Sequence, residues 1–135
     1  MNLLVNVDVS DLGKAEDFYT RAFDLSVSRR IGSGIIELAG APVPIYLLCK
    51  SAGSEATAGT GATRDFSRHW TPLHLDFVVA DIEVAVAKAV RAGATLERAA
   101  QTSAWGKLAL LADPFGNGFC LVEFIGRGYD EIATA

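Results

Sequence analysis

His74 and Asp76 stand two positions apart in the run His74-Leu-Asp-Phe-Val-Val-Ala-Asp81. Its alternation reads as a strand, and residues two apart on a strand share a face, with α-carbons roughly 7 Å apart at a rise near 3.3 Å per residue. An acid on the same face as an imidazole can orient it as a general base or raise its pKa. A histidine hydrogen-bonded in a partly wet core, with Asp76 bonding backbone amides, gives the same pattern, and spacing alone leaves both readings open. Asn6 and Asp8 repeat the spacing near the start of the chain, where a helix N-terminus close to Asp8 would stabilise its carboxylate whatever else it does. Tyr46 and Cys120 lie in apolar strand-like runs, and Trp105 lies in the turn-like Thr102-Ser-Ala-Trp-Gly-Lys107. No nucleophile elbow, P-loop or His-rich metal motif is present. Gly116-Asn-Gly118 reads as a hairpin and not a phosphate cradle, because no helix follows it.

The elements that would position these residues occur twice. Asn6-Val-Asp-Val-Ser-Asp11 runs into a helical stretch ending near Arg21-Ala-Phe23, and Asp76-Phe-Val-Val-Ala-Asp81 runs into one ending at Arg91-Ala-Gly93. Asp11 and Asp81 are 70 positions apart, as are Arg21 and Arg91. Each aspartate can cap the helix that follows it. Leu12, Ala15, Phe18, Tyr19, Ala22 and Phe23 form one apolar stripe, and Ile82, Ala85, Val86, Ala89 and Val90 form the other. Strands are expected over residues 3–9, 25–31, 35–38 and 43–50, and again over 73–79, 96–99, 108–112 and 119–124. Each half is thus β-α-β-β-β, an internal repeat that points to a ligand site between the halves. Residues 51–68 are rich in Ala, Gly, Ser and Thr and read as a connector. Its later part, Arg64-Asp-Phe-Ser-Arg-His-Trp70, carries the charge and aromaticity of a flap over a ligand. The corresponding division is a first module over about 1–50, a linker over 51–72, a second module over 73–126 and a tail over 127–135, all in one domain.

Composition narrows the function classes. A chain of 135 residues, half of them apolar, has the material for one real core. A net charge of -4 and a pI near 5.1 argue against a nucleic-acid surface and weakly favour a cationic or neutral ligand. No apolar run approaches the roughly 20 residues that span a bilayer. The N-terminus lacks a basic flank and cleavage site, so a cytoplasmic protein is expected. Cys49 and Cys120, without CxxC spacing, are expected as buried free thiols.

Two β-α-β-β-β modules with Asp113-Pro-Phe-Gly-Asn117 before the final strand resemble the vicinal oxygen chelate superfamily, which includes glyoxalases, bleomycin-resistance proteins and ring-cleaving dioxygenases. His74 to Asp81 together with Ala109 to Phe124 is most similar to its glyoxalase-like branch. The resemblance implies an α+β fold in which two βαβββ modules curve into an open cup-shaped barrel around a small ligand. Superfamily metalloenzymes hold a divalent ion on four side chains of the first and last strands of the modules. Counted from the two Asp caps and the Asp-Pro turn, those places fall on Leu4, Tyr46, His74 and Cys120. Leu4 has no lone pair and a single imidazole holds such ions poorly, so no metal and no cofactor are expected.

With those places facing inward, strand alternation puts Asn6, Asp8, Asp76, Val78, Val122 and Phe124 on the cup face. The resemblance sets Trp105 at the rim, where it could stack on a planar ligand or simply cover the sheet end. The expected protein is therefore a metal-independent small-molecule binder. Asn6, Asp8, Tyr46, Trp105, Cys120 and Phe124 would contact the ligand. His74 and Asp76 would be the acid/base pair if the scaffold instead serves a metal-free isomerase, epimerase or lyase; a metal-dependent lyase or dioxygenase fits less well. The resemblance also implies a homodimer, with cups built within one chain or shared between two. A small molecule and a second copy are the only partners expected.

Overall fold

A computed structural model describes residues 1–134. Strand β1 (Val5–Val9) enters helix α1 (Leu12–Phe23), followed by β2 (Ser26–Ile31), β3 (Ile35–Ala39) and β4 (Ile45–Cys49). The order returns as β5 (Leu75–Val78), α2 (Ile82–Ala92), β6 (Thr95–Ser103), β7 (Gly106–Ala112) and β8 (Gly118–Phe124), and a 3-10 turn spans Gly128–Glu131. Asp11 caps α1 by accepting from the Lys14 amide at 2.9 Å, and Asp81 caps α2 by accepting from the Val84 amide at 3.0 Å. Both capping residues have extended backbone, which turns the chain from strand into helix.

Each module is a four-stranded mixed sheet, ordered β1-β4-β3-β2 in the first and β5-β8-β7-β6 in the second. The first strand of each module runs parallel to the last, and the remaining pairs are antiparallel. The sheets do not close into one barrel: β1 and β5 are edge strands, and a cleft of about 730 Å³ lies between them, walled by Asn6, Asp8, His74 and Phe119. The α+β class and paired βαβββ modules expected from the sequence are present.

One core serves both modules. Val9, Ile45, Leu47, Ile36 and Leu38 of the first sheet cluster with Ala109, Leu111, Phe119 and Leu121 of the second around α1 and α2. Phe23 of α1 stacks on Phe77 of β5 with centroids 3.9 Å apart, and Phe18 meets Phe119 at 6.3 Å. The helix stripe places Phe18 and Tyr19 in this core and Phe23 against it. Both helices cover one side of the sheets, so the opposite side of each sheet faces away from the shared core.

Asp113 explains the Asp-Pro-Phe-Gly-Asn turn. Its Oδ1 accepts from the amides of Phe115 and Asn117, and its Oδ2 accepts from Asn117 Nδ2 and from the Tyr19 hydroxyl at 2.7 Å. Only 5% exposed, this carboxylate ties a turn of the second module to the helix of the first. Burial, then the Asp113 charge, pushes the Tyr19 hydroxyl well above its ordinary pKa, so it stays protonated and donates. Gly116 at φ 83° completes the turn, and a Cβ there would collide with the Ser67 carbonyl.

Residues 51–68 join the modules and carry local structure of their own: Glu55 and Thr63 form a bridge, and Glu55 accepts from the Gly59 and Gly61 amides. Two expectations need correction. Cys49 is exposed because it ends β4, whereas Cys120 is buried inside β8. Strand β6 runs to Ser103, past Ala99, because bulges let an irregular polar stretch keep pairing with β7.

Candidate functional site

The cup face of the first module follows from its register. Asn6 pairs with Tyr46, Tyr46 with Glu37, and Glu37 with Arg29, which makes one row of side chains across four strands. Glu37 is its hub, accepting from the Tyr46 hydroxyl at 2.8 Å, from the Ser28 hydroxyl at 2.8 Å and from Arg29. The Ser28 hydrogen bond, then those from Tyr46 and Arg29, hold its carboxyl below the usual carboxylate range. Tyr46 thus faces the cup, but its proton is already committed. Glu37 escaped attention in the sequence, although a lone acid inside Ile35-Ile-Glu-Leu-Ala39 is the signal of a polar face on an otherwise apolar strand.

Asp8 also lies on this face, partly exposed and already paired with an arginine. Arg64 Nε donates to its Oδ2 at 2.6 Å, and the same guanidinium bonds the Glu55 carbonyl at 2.5 Å and Ser54 Oγ at 3.3 Å. Four residues on, Arg68 pairs with Glu97 of β6, and the His69 amide donates to the Gly116 carbonyl at 3.2 Å. The segment 64–70 therefore lies across both modules, secured to each by an arginine. Arg64 and Arg68 went unassigned in the sequence, although the return of charge after the small-residue stretch marked their segment.

The second module brings His74, Asp76 and Cys120 together. His74 precedes β5, Asp76 pairs with Cys120 across β5 and β8, and His74 Nε2 lies 3.2 Å from Asp76 Oδ1. The side chains of His74 and Asp76 are 52% and 38% exposed, so this pair meets solvent. One donor atom from each of the three residues lies within 4.8 Å of the others, close enough to bear on one ion. All three donors come from the second module. Burial, then the nearby Asp76 carboxylate, pushes the Cys120 thiol up to about 12, so without a cation beside it the thiol keeps its proton. The first module adds no donor at Leu4, which is aliphatic, so these three side chains are one short of a closed four-ligand zinc site.

Trp105 occupies the turn between β6 and β7, Phe124 ends β8, and both contact Tyr129 of the 3-10 turn at centroid distances of 4.9 Å. Trp105 and Phe124 are 6.2 Å apart. The structure therefore unites the two expected aromatic residues at one end of the cup face and adds Tyr129, which the short polar tail gave no reason to single out. A second hollow of about 150 Å³ lies on this face, walled by Trp70, His74, Leu110 and Cys120. Asn6 and Asp8 line the larger cleft, as does His74, which reaches both. The arrangement can take a small, partly planar molecule against apolar walls with a few placed polar groups.

The model of the glyoxalase-like domain family matches residues 4–122. The anthracycline biosynthesis protein DnrV of Streptomyces peucetius is 31% identical over 131 residues, covering 96% of this chain but only 43% of that protein. Among solved structures, the fosfomycin resistance protein FosX of Listeria monocytogenes superposes with a TM-score of 0.70 at 16% identity, covering 98% of each chain. TnmS3, an antibiotic binding protein from a Streptomyces species, does so with a TM-score of 0.66 at 22% identity, covering 93% of this chain and 96% of its own. At these identities the structural matches speak for the fold alone.

Proposed function

The chain belongs to the glyoxalase-like domain family, within the vicinal oxygen chelate superfamily, and from that premise we propose that it binds a small, partly planar organic molecule without a metal ion. The observation that carries this reading is the cup face of the second module. A protonated thiol, an imidazole–carboxylate pair and the Trp105–Phe124–Tyr129 group border apolar Leu110 and Val122 there, and Leu4 brings no donor atom from the first module. An antibiotic-binding protein and an antibiotic-resistance protein on the same fold support a ligand of natural-product character.

The cup is completed by a second copy of the chain. Supporting this, β1 and β5 each leave one edge unpaired, and apolar side chains beside them stand in solvent: Leu73 is 84% exposed, Trp70 80% and Val78 62%. Soluble chains rarely leave such surface uncovered. A homodimer that sets the first module of one chain against the second module of the other would cover it and bring the two polar rows to one ligand.

Native mass spectrometry of protein purified without chelator tests both points. The expected species is a dimer free of metal that takes up planar aromatic compounds, with quenching of tryptophan fluorescence. One divalent ion per chain, lost in His74→Ala, would overturn the metal-free reading. The contact between His74 and Asp76 favours a second reading, a metal-free isomerase, epimerase or lyase with His74 as base. Turnover that collapses in His74→Ala while ligand binding survives would establish it.

A further inference from the structure

Each module carries a bulge on its outermost strand, and each bulge turns an arginine onto the cup face. In β2, Val27 pairs with Leu38 and Arg29 with Glu37 across a register shift. In β6, Leu96 pairs with Leu111 and Arg98 with Leu110 across another. In an unbroken strand, residues two apart share a face, so Arg98 would follow Leu96 to the helix side, where Leu111 is buried. The extra residue reverses that parity and sets Arg98 beside Leu110 and Cys120 instead. A second shift, between Arg98 and Gln101, flanks it on the other side.

The two rows agree at the arginine and differ at the other three places. Across the first sheet the row is Arg29, Glu37, Tyr46, Asn6; across the second it is Arg98, Leu110, Cys120, Asp76. Where Arg29 meets a carboxylate, Arg98 meets a leucine. Among the described residues Arg98 has no ion pair, and its chain neighbour Glu97 is taken by Arg68. Asp76 stands three strands away, roughly 14 Å at a strand spacing near 4.8 Å, and faces His74. The second module has thus kept the bulged guanidinium and lost its internal counter-ion.

We propose that Arg98 receives a carboxylate of the molecule held in the cup. A guanidinium fork matches a carboxylate with two parallel hydrogen bonds, and Arg98, exposed and without an ion pair, is free to make them. This positive charge stands against the acidic balance of the whole chain, which by itself weakly favours a cationic or neutral ligand. This inference rests on the cup being a small-molecule site and deepens it by giving the ligand a charge.

The test uses a matched pair of probes, 2-naphthoate and neutral 2-naphthamide, titrated by tryptophan quenching into wild type, Arg98→Gln, Arg98→Lys and the helix variant Arg91→Gln. Wild type is expected to bind the acid about tenfold more tightly than the amide, the usual worth of a hydrogen bond to a charged group. Arg98→Gln should bring that ratio close to one, Arg98→Lys should keep part of it, and Arg91→Gln should keep all of it. Equal binding of both probes by wild type, or an acid preference that survives in Arg98→Gln, would overturn the role of Arg98 while leaving the cup as a binding site. Failure of both probes to bind would overturn the cup reading and the carboxylate with it.

Discussion

Replacing Tyr19 by Phe deletes one oxygen and, on this structure, one buried bond between the modules. The Tyr19 hydroxyl donates to Asp113 Oδ2 at 2.7 Å, and both residues are at most 5% exposed. The ring itself packs edge-on to Phe18 at 5.0 Å and against Phe23 at 5.8 Å, contacts that phenylalanine retains. The loss is therefore one hydrogen bond to a buried carboxylate, about 2 kcal/mol. Asp113 is not stranded, because Asn117 Nδ2 still donates to the same oxygen at 2.9 Å, which argues against a larger value. For a domain of this size that corresponds to a fall in Tm of about 6–8 °C. Urea denaturation at fixed protein concentration should show the same loss with an unchanged m-value, since dimerisation would otherwise move the midpoint. Asp113→Ala should cost clearly more, about 4 kcal/mol, because it leaves the Phe115 and Asn117 amides, Asn117 Nδ2 and the Tyr19 hydroxyl without their acceptor. A Tyr19→Phe protein within about 0.5 kcal/mol of wild type would refute the reasoning, since a buried charge-assisted bond is worth more than that.

Other consequences are as direct. Only Cys49 should react promptly with a thiol reagent at pH 8; Cys120, buried and pushed up to about 12, should stay protonated and react only on unfolding, so Cys49→Ser should abolish the fast phase. The same shift makes stability pH-dependent: the unfolded thiol ionises near its ordinary value of 9.0 while the folded one keeps its proton to about 12. The stabilisation is therefore whole below pH 9 and declines between 9 and 12, and Cys120→Ala should flatten that part of a pH–stability curve. Arg64→Gln should free Asp8 and loosen residues 51–68, seen as faster proteolytic cleavage within that segment with little change in the cleavage of the sheets.

How far the sequence reveals this molecule depends on the range of the interaction concerned. Helix caps act over three residues and strand alternation over two, so Asp11, Asp81 and both modules are legible without coordinates. Partners across the sheet are not. Nothing near Asp8 in the chain announces Arg64, 56 positions later, and nothing near Trp105 announces Tyr129. A bulge is harder still, because it changes the face of a side chain without changing its composition. Regular alternation from Leu96 puts Arg98 toward the core, and only the register with Leu110 places it on the cup face. Cys49 was misjudged for a related reason: its apolar run suggested burial, but the strand ends there and its sulfur lies 3.9 Å from the Ser10 carbonyl in an exposed position.

The proposed site is a cup assembled from the first module of one chain and the second module of another. Leu48→Arg should block the first-module wall, because Leu48 pairs with Asp8 and Ile35 on the cup face, and Leu110→Arg should block the second. Each variant alone should fail to bind 2-naphthoate. Co-expressed under two tags and purified as a mixed dimer, they should bind one 2-naphthoate per dimer, because one of the two cups then has two intact walls. No binding by the mixed dimer, with wild type binding two per dimer, would contradict the shared cup and return the site to a single chain.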